Sequence, residues 1–224
     1  MKQEKAKRLM NEAIDMNGSD EVTTIIRRYG LSDVSERREG YALIIRALLR
    51  EKEEAVEALI MQNATINGPD HANSIVSLCR ILKYSNTELA WLLIARGANI
   101  NADNDDSGNR PIHQLMIAVG QEAGANRTRL AEIMEYMLQN GVEIEARNRE
   151  GVAAAHLDVQ QKYMGIFEMF IEHDVNMDIE DEKRRTPLFY AVEYEQSEKV
   201  NALLKQGARV NQRLPSNDTA VHDI

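Results

Sequence analysis

A single cysteine, Cys79, in 224 residues rules out an intrachain disulfide and the stapled secreted scaffolds that depend on one. A reducing, cytosol-type compartment follows, that of a host cell if the protein is a secreted effector. Positive charge is also scarce. The chain has 27 Lys and Arg against 36 Asp and Glu, a formal net charge of −9. A protein that neutralises several phosphates needs a clustered cationic face, so no nucleic acid is expected as a partner. Long hydrophobic runs are missing too: the longest, Leu89–Ala95, falls far short of the roughly 20 residues that span a bilayer. The opening MKQEKAKRLMNEAIDM interleaves acidic with basic residues and leads into no apolar stretch, so it lacks the core of a secretory signal. No membrane insertion is expected. Proline is rare, with four residues, yet 43% of the chain is hydrophobic, which describes a folded chain and not a disordered one.

What the sequence has is a repeat. NATIN at Asn63, GANIN at Gly97, GVEIE at Gly141, DVNMD at Asp174 and GARVN at Gly207 share a small or turn-forming start and an apolar fourth residue. With the looser GLSDV at Gly30, successive spacings are 33, 34, 44, 33 and 33. The period is therefore about 33 with one insertion of about ten residues. Three and four positions before the markers lie Leu59 and Ile60, Leu93 and Ile94, Met137 and Leu138, Phe170 and Ile171, Leu203 and Leu204. Seven before lie Val56, Ala90, Met134, Phe167 and Val200. Those intervals place one apolar stripe along a helix, and the Gly or Asn that follows suits a helix end. Fifteen or sixteen residues after each marker comes a second recurrent position, held by Ile45, Cys79, His113, His156, Phe189 and His222. Each unit reads as a tight turn and two short antiparallel helices.

These residues resemble the ankyrin repeat, with its T-P-L-H-x-A box, second helix ending L-L-x-x-G and G-A-x-x-N turn. LIARGANINA at Leu93–Ala102, TPLFYA at Thr186–Ala191 and VNALLKQGARVN at Val200–Asn211 match best. The resemblance runs from about residue 30 to the end and is stronger after Leu89; the boxes around Ile45 and Cys79 do not match. It implies an all-α fold: an ankyrin-type solenoid of helix–turn–helix units with projecting β-turn or hairpin tips. It also implies that the box histidines His113, His156 and His222 bond to backbone and stiffen the turn.

The organisation expected is an N-terminal capping repeat over 1–33, five repeats over 34–210 and a partial terminal repeat over 211–224. The first stretch holds two amphipathic helices, Lys2–Met16 and Glu21–Tyr29, with Ser19 and Asp20 as candidate N-caps. Its polar, mixed-charge first helix suits the end of a stack. A last unit lacking its second helix is either a frayed end or, the favoured reading, the sign of a natural chain that continues past Ile224. The insertion, at about 120–130, falls between two helices as an exposed loop or as extensions of both joined at Gly124.

No enzyme chemistry emerges. There is no G-x-S-x-G elbow and no glycine-rich phosphate loop. Cys79 reads as a small buried apolar residue. His71 and His173 lack partners at zinc-ligand spacing. Asp103, Asp105, Ser107 and Gly108 imitate the start of a calcium loop, but its twelfth residue is the neutral Gln114. The expectation is no metal and no cofactor. Asn101 and Asn211 stand where ankyrin repeats resemble substrates of asparaginyl hydroxylation; a structural hydrogen bond across the turn is the favoured reading.

Function then falls to residues the repeat leaves free. On the register implied by the resemblance, these lie four and five residues after the box position: Leu49 and Arg50, Lys83 and Tyr84, Ile117 and Ala118, Gln160 and Gln161, Glu193 and Tyr194. Arg50, Tyr84 and Tyr194 are the foremost anchors, since Arg and Tyr bury much area at small entropic cost. The turn tips add Asp105, Asp106, Arg147, Arg149, Glu182 and Arg184, beside the acidic Glu180 and Asp181. The expected function is a non-enzymatic, monomeric protein-interaction scaffold whose concave face and tips bind another protein; the tip charges read either as solvated turns, the favoured reading, or as the counterpart of a basic segment in that partner. The alternative is the targeting or substrate-recruiting arm of a larger enzyme or of a secreted host-directed effector.

Overall fold

The computed structural model describes residues 2–30, 43, 44, 46, 47, 50, 52–64, 66, 78, 79, 81, 82, 85–102 and 107–210. Lys83, Tyr84, Asp103, Asp105, Asp106, His71, Asn211, His222 and the terminal stretch 211–224 lie outside them. The chain divides into two units, Met1–Asn104 and Asp105–Ile224. Among the described residues the regular structure is all helical, with no strand.

In the first unit, α1 (Lys2–Asp15) packs on α2 (Ser19–Tyr29), α2 on α3 (Glu53–Met61), and α3 on α4 (Thr87–Ala95). α1 buries Ala6, Met10, Ala13 and Ile14, which recur at three- and four-residue intervals, and leaves Glu4 and Lys5 in water. Ser19 and Asp20 do not cap α2: Ser19 is its first helical residue, and Gly18 takes the cap position without a side-chain bond. Asn86 does cap α4, its Oδ1 accepting from the Leu89 amide at 3.0 Å. The helices end in left-handed residues, Asn17, Asn63 and Gly97 among them. Asn and Gly bear that conformation at least steric cost.

The second unit holds α5 (Pro111–Gln121), α6 (Gly124–Gln139), α7 (Ala154–Val159), α8 (Gly165–Glu172), α9 (Pro187–Glu193) and α10 (Ser197–Lys205). α5, α7 and α9 form a row in which α7 touches both neighbours; α6 and α8 pack behind, and α10 packs on α9. The insertion is not a loop. It lengthens α5 and α6, which meet across Glu122 and Ala123, with Gly124 left-handed at the start of α6.

The apolar stripe is narrower than the sequence suggests. Positions four and seven before each marker are buried at Val56, Leu59, Ala90, Leu93, Met134, Met137, Phe167, Phe170 and Leu203. Position three is buried at Ile60 and Ile94, only half-buried at Leu138 and Ile171, and exposed at Leu204. A step of one residue turns the side chain about 100° round the helix, so position three sits on the flank of the stripe. Burying a Leu or Phe contributes about 1.5–3 kcal/mol, which places the core energy at positions four and seven. Cys79 is buried beside Ala102, as a small apolar residue would be.

Candidate partner-binding groove

Local backbone chemistry builds the tips of the second unit. Asn148 Oδ1 accepts from the amides of Glu150 and Val152, both at 3.0 Å, and the Asn148 amide donates to the Val152 carbonyl oxygen at 3.0 Å. Thirty-three residues on, Asp181 Oδ1 accepts from the Lys183 and Arg185 amides at 2.9 and 2.8 Å. One Asx-type hairpin therefore recurs. Neighbouring tips are tied through backbone: the Arg149 amide donates to the Ser107 carbonyl oxygen at 3.1 Å, and the Glu182 amide to that of Glu150 at 3.0 Å. Gly151, at φ +75°, makes the second contact possible, because a Cβ there would lie 2.5 Å from the Glu182 nitrogen.

The box histidines join first helices to these tips. His113 Nδ1 accepts from the Arg110 amide at 3.1 Å, which leaves Nε2 to donate to the Val152 carbonyl oxygen at 3.0 Å. His156 repeats this with the Ala153 amide and the Arg185 carbonyl oxygen, at 3.0 and 3.1 Å. Burial pushes both imidazoles below their ordinary pKa, so each is neutral at pH 7 and structural.

Asp181 departs from the expectation of a solvated tip charge. It is buried, accepts from Arg185 Nε at 2.8 Å and from the Tyr190 hydroxyl at 2.9 Å, and Arg185 lies 4.6 Å over the Tyr190 ring. Burial alone would raise its carboxyl; the bonds from Arg185 and Tyr190 outweigh that and hold it below the usual range. Burial and the Asp181 carboxylate together push the Tyr190 phenol well up.

Between the row of first helices and the tips runs a groove of about 610 Å³. Ile117, Val152, Leu157 and Tyr190 contribute apolar lining. Its polar lining includes Ser107, Asn109, Asn148, Arg149, Glu150, Gln160, Arg185, Glu193 and Tyr194. Of the residues singled out in the sequence, the groove thus gathers Arg149, Gln160, Glu193 and Tyr194, with Ile117. Tyr194 stacks nearly parallel on Tyr190, centroids 6.5 Å apart, and remains 47% exposed.

The other expected contacts go elsewhere. Arg147, Glu182 and Arg184 are exposed but do not line the groove, and Arg184 pairs with Glu180. Gln161 turns away, its Nε2 donating to the Met116 carbonyl oxygen at 2.6 Å. Ala118 is buried and not free. In the first unit the exposed Arg50 is engaged by Asp15 of α1, which also lies 3.8 Å from Arg46. No cluster of three metal-ligating side chains occurs among the described residues. Asn101 is half-buried and its amide donates to Asn99 Oδ1 at 2.9 Å.

The sequence reading missed one buried ion pair. Lys199 of α10 reaches Asp158 of α7, Nζ to Oδ2 at 2.9 Å and to the Asp158 carbonyl oxygen at 2.6 Å, with both side chains 1% exposed. Burial drives the Asp158 carboxyl up to about 6, even though Lys199 pulls it down. Burial likewise lowers Lys199. The repeat register held the signal. Eight residues before the markers stand Ala55, Leu89, Ile133 and Ile166, all buried, and then Lys199. Two residues after the box stand the buried Ile81, Leu115 and Ala191, and also Asp158. Opposite charges in two core positions of adjacent helices must meet or be expelled.

Comparison with known proteins bears on the whole arrangement. Residues 115–213 match the family model for ankyrin repeats, in three copies. A stretch of 94 residues is 32% identical to the B-cell lymphoma 3 protein homolog of Mus musculus, covering 42% of this chain and 21% of that protein. Over 157 residues, 64% of the chain, identity to Rabankyrin-5 is 23% for the Mus musculus protein and 22% for the Homo sapiens one, spanning 13% of each. The chain therefore matches only a small part of the length of these relatives.

Proposed function

Because the chain belongs to the ankyrin-repeat family, we propose that it is a non-enzymatic, monomeric interaction module. Its second unit binds a segment of a partner protein in the groove between the first helices and the tips. The observation that carries this is the gathering of Arg149, Gln160, Glu193 and Tyr194, from one tip and the ends of two helices, around one apolar-floored concavity. A patch with aromatic and Arg anchors ringed by polar groups is the usual make-up of a binding surface. The displaced titrating groups support the non-catalytic side of the reading. His113, His156, Asp158, Asp181, Tyr190 and Lys199 are each bonded to backbone or to one another. The partner segment is basic, in keeping with a chain of net charge −9 whose field speeds encounter with cations. The partner is a protein, neither nucleic acid nor membrane; no described helix is long and apolar enough to cross a bilayer.

A photo-crosslinking residue placed at Gln160, and as control at the exposed Glu132 of α6, tests the site in the cell that makes the protein. Covalent protein adducts should form from position 160 and not from 132. Equal labelling at both positions, or none at 160, refutes it.

A further inference from the structure

We propose that the groove reads a two-point code in an extended partner segment: a cationic side chain, Arg or Lys, seated on Tyr194 against Glu193, and an apolar side chain about three to five residues from it over Ile117 and Leu157. This rests on the reading of the groove as the partner site and specifies what it selects. The charges of the lining decide where the cation goes. Arg149 and Glu150 are adjacent on one tip and offset each other. Arg185 is already bonded to the buried Asp181, so Asp181, Arg185 and Glu193 together leave one negative charge. Glu193 carries it: the residue is exposed and has no hydrogen-bonding partner among the described residues.

Two further features favour a cation there. Glu193 is the last residue of α9 and Tyr194 its cap, so a cation seated there also faces the carbonyl end of the helix, the end that favours positive charge. The Tyr194 ring, one face on Tyr190 and 47% exposed, offers a π surface of the kind that holds guanidinium or ammonium groups. Spacing follows from the row of helices. α5, α7 and α9 are consecutive neighbours, helix axes in contact lie about 8–10 Å apart, and an extended chain advances about 3.3–3.6 Å per residue. One helix-to-helix step thus takes about three residues. Leu157 of α7 and Ile117 of α5 stand one and two helices along the row from α9, and both contribute apolar lining to the groove.

Selection of random twelve-residue peptides displayed on phage against the full chain, followed by affinity measurement on the enriched peptides, tests the code. Enriched peptides should carry Arg or Lys about three to five residues from an aliphatic residue. Affinity should fall about tenfold in Y194A and in E193Q, with thermal melting confirming that each variant is folded. In E193K the preference at the basic position should invert to Asp or Glu, a change of selectivity that a merely structural role for Glu193 would not produce. Peptides that need the groove, losing affinity in Y194A, yet lack a basic residue or ignore E193Q and E193K would overturn the code while leaving the groove as the partner site. Failure to enrich any peptide sensitive to these substitutions would overturn both.

Discussion

Replacing Lys199 by Met strips the buried Asp158 of the cation paired with it and of two hydrogen bonds, at 2.9 and 2.6 Å, and takes the ammonium from its place 5.6 Å from the Phe167 ring. Breaking a buried pair by removing one member costs about 3–5 kcal/mol, mostly for the charge left behind. With an unfolding entropy of about 2.1 cal/mol/K per residue over 224 residues, that lowers Tm by about 6–11 °C if the chain melts as one unit, and by more if the second unit melts alone. Replacing both members, D158L with K199M, puts apolar side chains where other repeats carry Leu115 and Ile166. It should return stability to within about 1–2 kcal/mol of the parent, since buried pairs compare poorly with hydrophobic isosteres.

The pH dependence of K199M has a definite sign. Asp158 is already raised to about 6 in the parent, and losing the cation raises it further. A carboxyl raised above its unfolded value of about 3.9 contributes stability that is present below that value and lost as pH rises through the folded one. The K199M deficit should therefore be largest above neutrality and shrink toward about pH 5, where Asp158 takes up a proton. Thermal melts of the parent, K199M and D158L/K199M across this range are the assay. A K199M cost below about 1 kcal/mol, or a double variant as unstable as the single, would refute the reasoning.

Three other measurements follow from the same contacts. His156 is held neutral by burial, so its contribution is present above the unfolded value of about 6.5 and is lost as pH falls; the Tm advantage of the parent over H156Q should narrow between about pH 7.5 and 5.5. G151A combines a left-handed backbone with a Cβ 2.5 Å from the Glu182 nitrogen and should cost about 2–4 kcal/mol. In G141A, at φ +77° with nothing within 4 Å, only the backbone term of about 1–2 kcal/mol remains, so equal losses in denaturant melts would refute the tip contact. F170A removes a fully buried ring of α8 and should lower stability by about 3–5 kcal/mol; a loss under 1 kcal/mol would show that Phe170 is not core.

Much of the fold was legible because a repeat is a local pattern written several times. The stripe at Val56 and Leu59 or Phe167 and Phe170, the turn glycines and the box histidines each declare themselves within a dozen residues, and recurrence separates them from chance. The Asp158–Lys199 pair was half legible: register alone marks two charges in core positions, although their contact spans 41 residues.

What the sequence by itself determined is the all-helical repeat, its period and the faces its helices bury, since these follow from side-chain spacing on a helix. Only the tertiary structure decided which polar residues are free. Arg50 is taken by Asp15, Gln161 by the Met116 carbonyl and Asp181 by Arg185 and Tyr190, while Gln160, Glu193 and Tyr194 are left around one groove. A polar side chain is committed or available according to the neighbours within hydrogen-bond reach of it, and most of those neighbours arrive from another helix or the next turn of the repeat once the helices within each unit have packed.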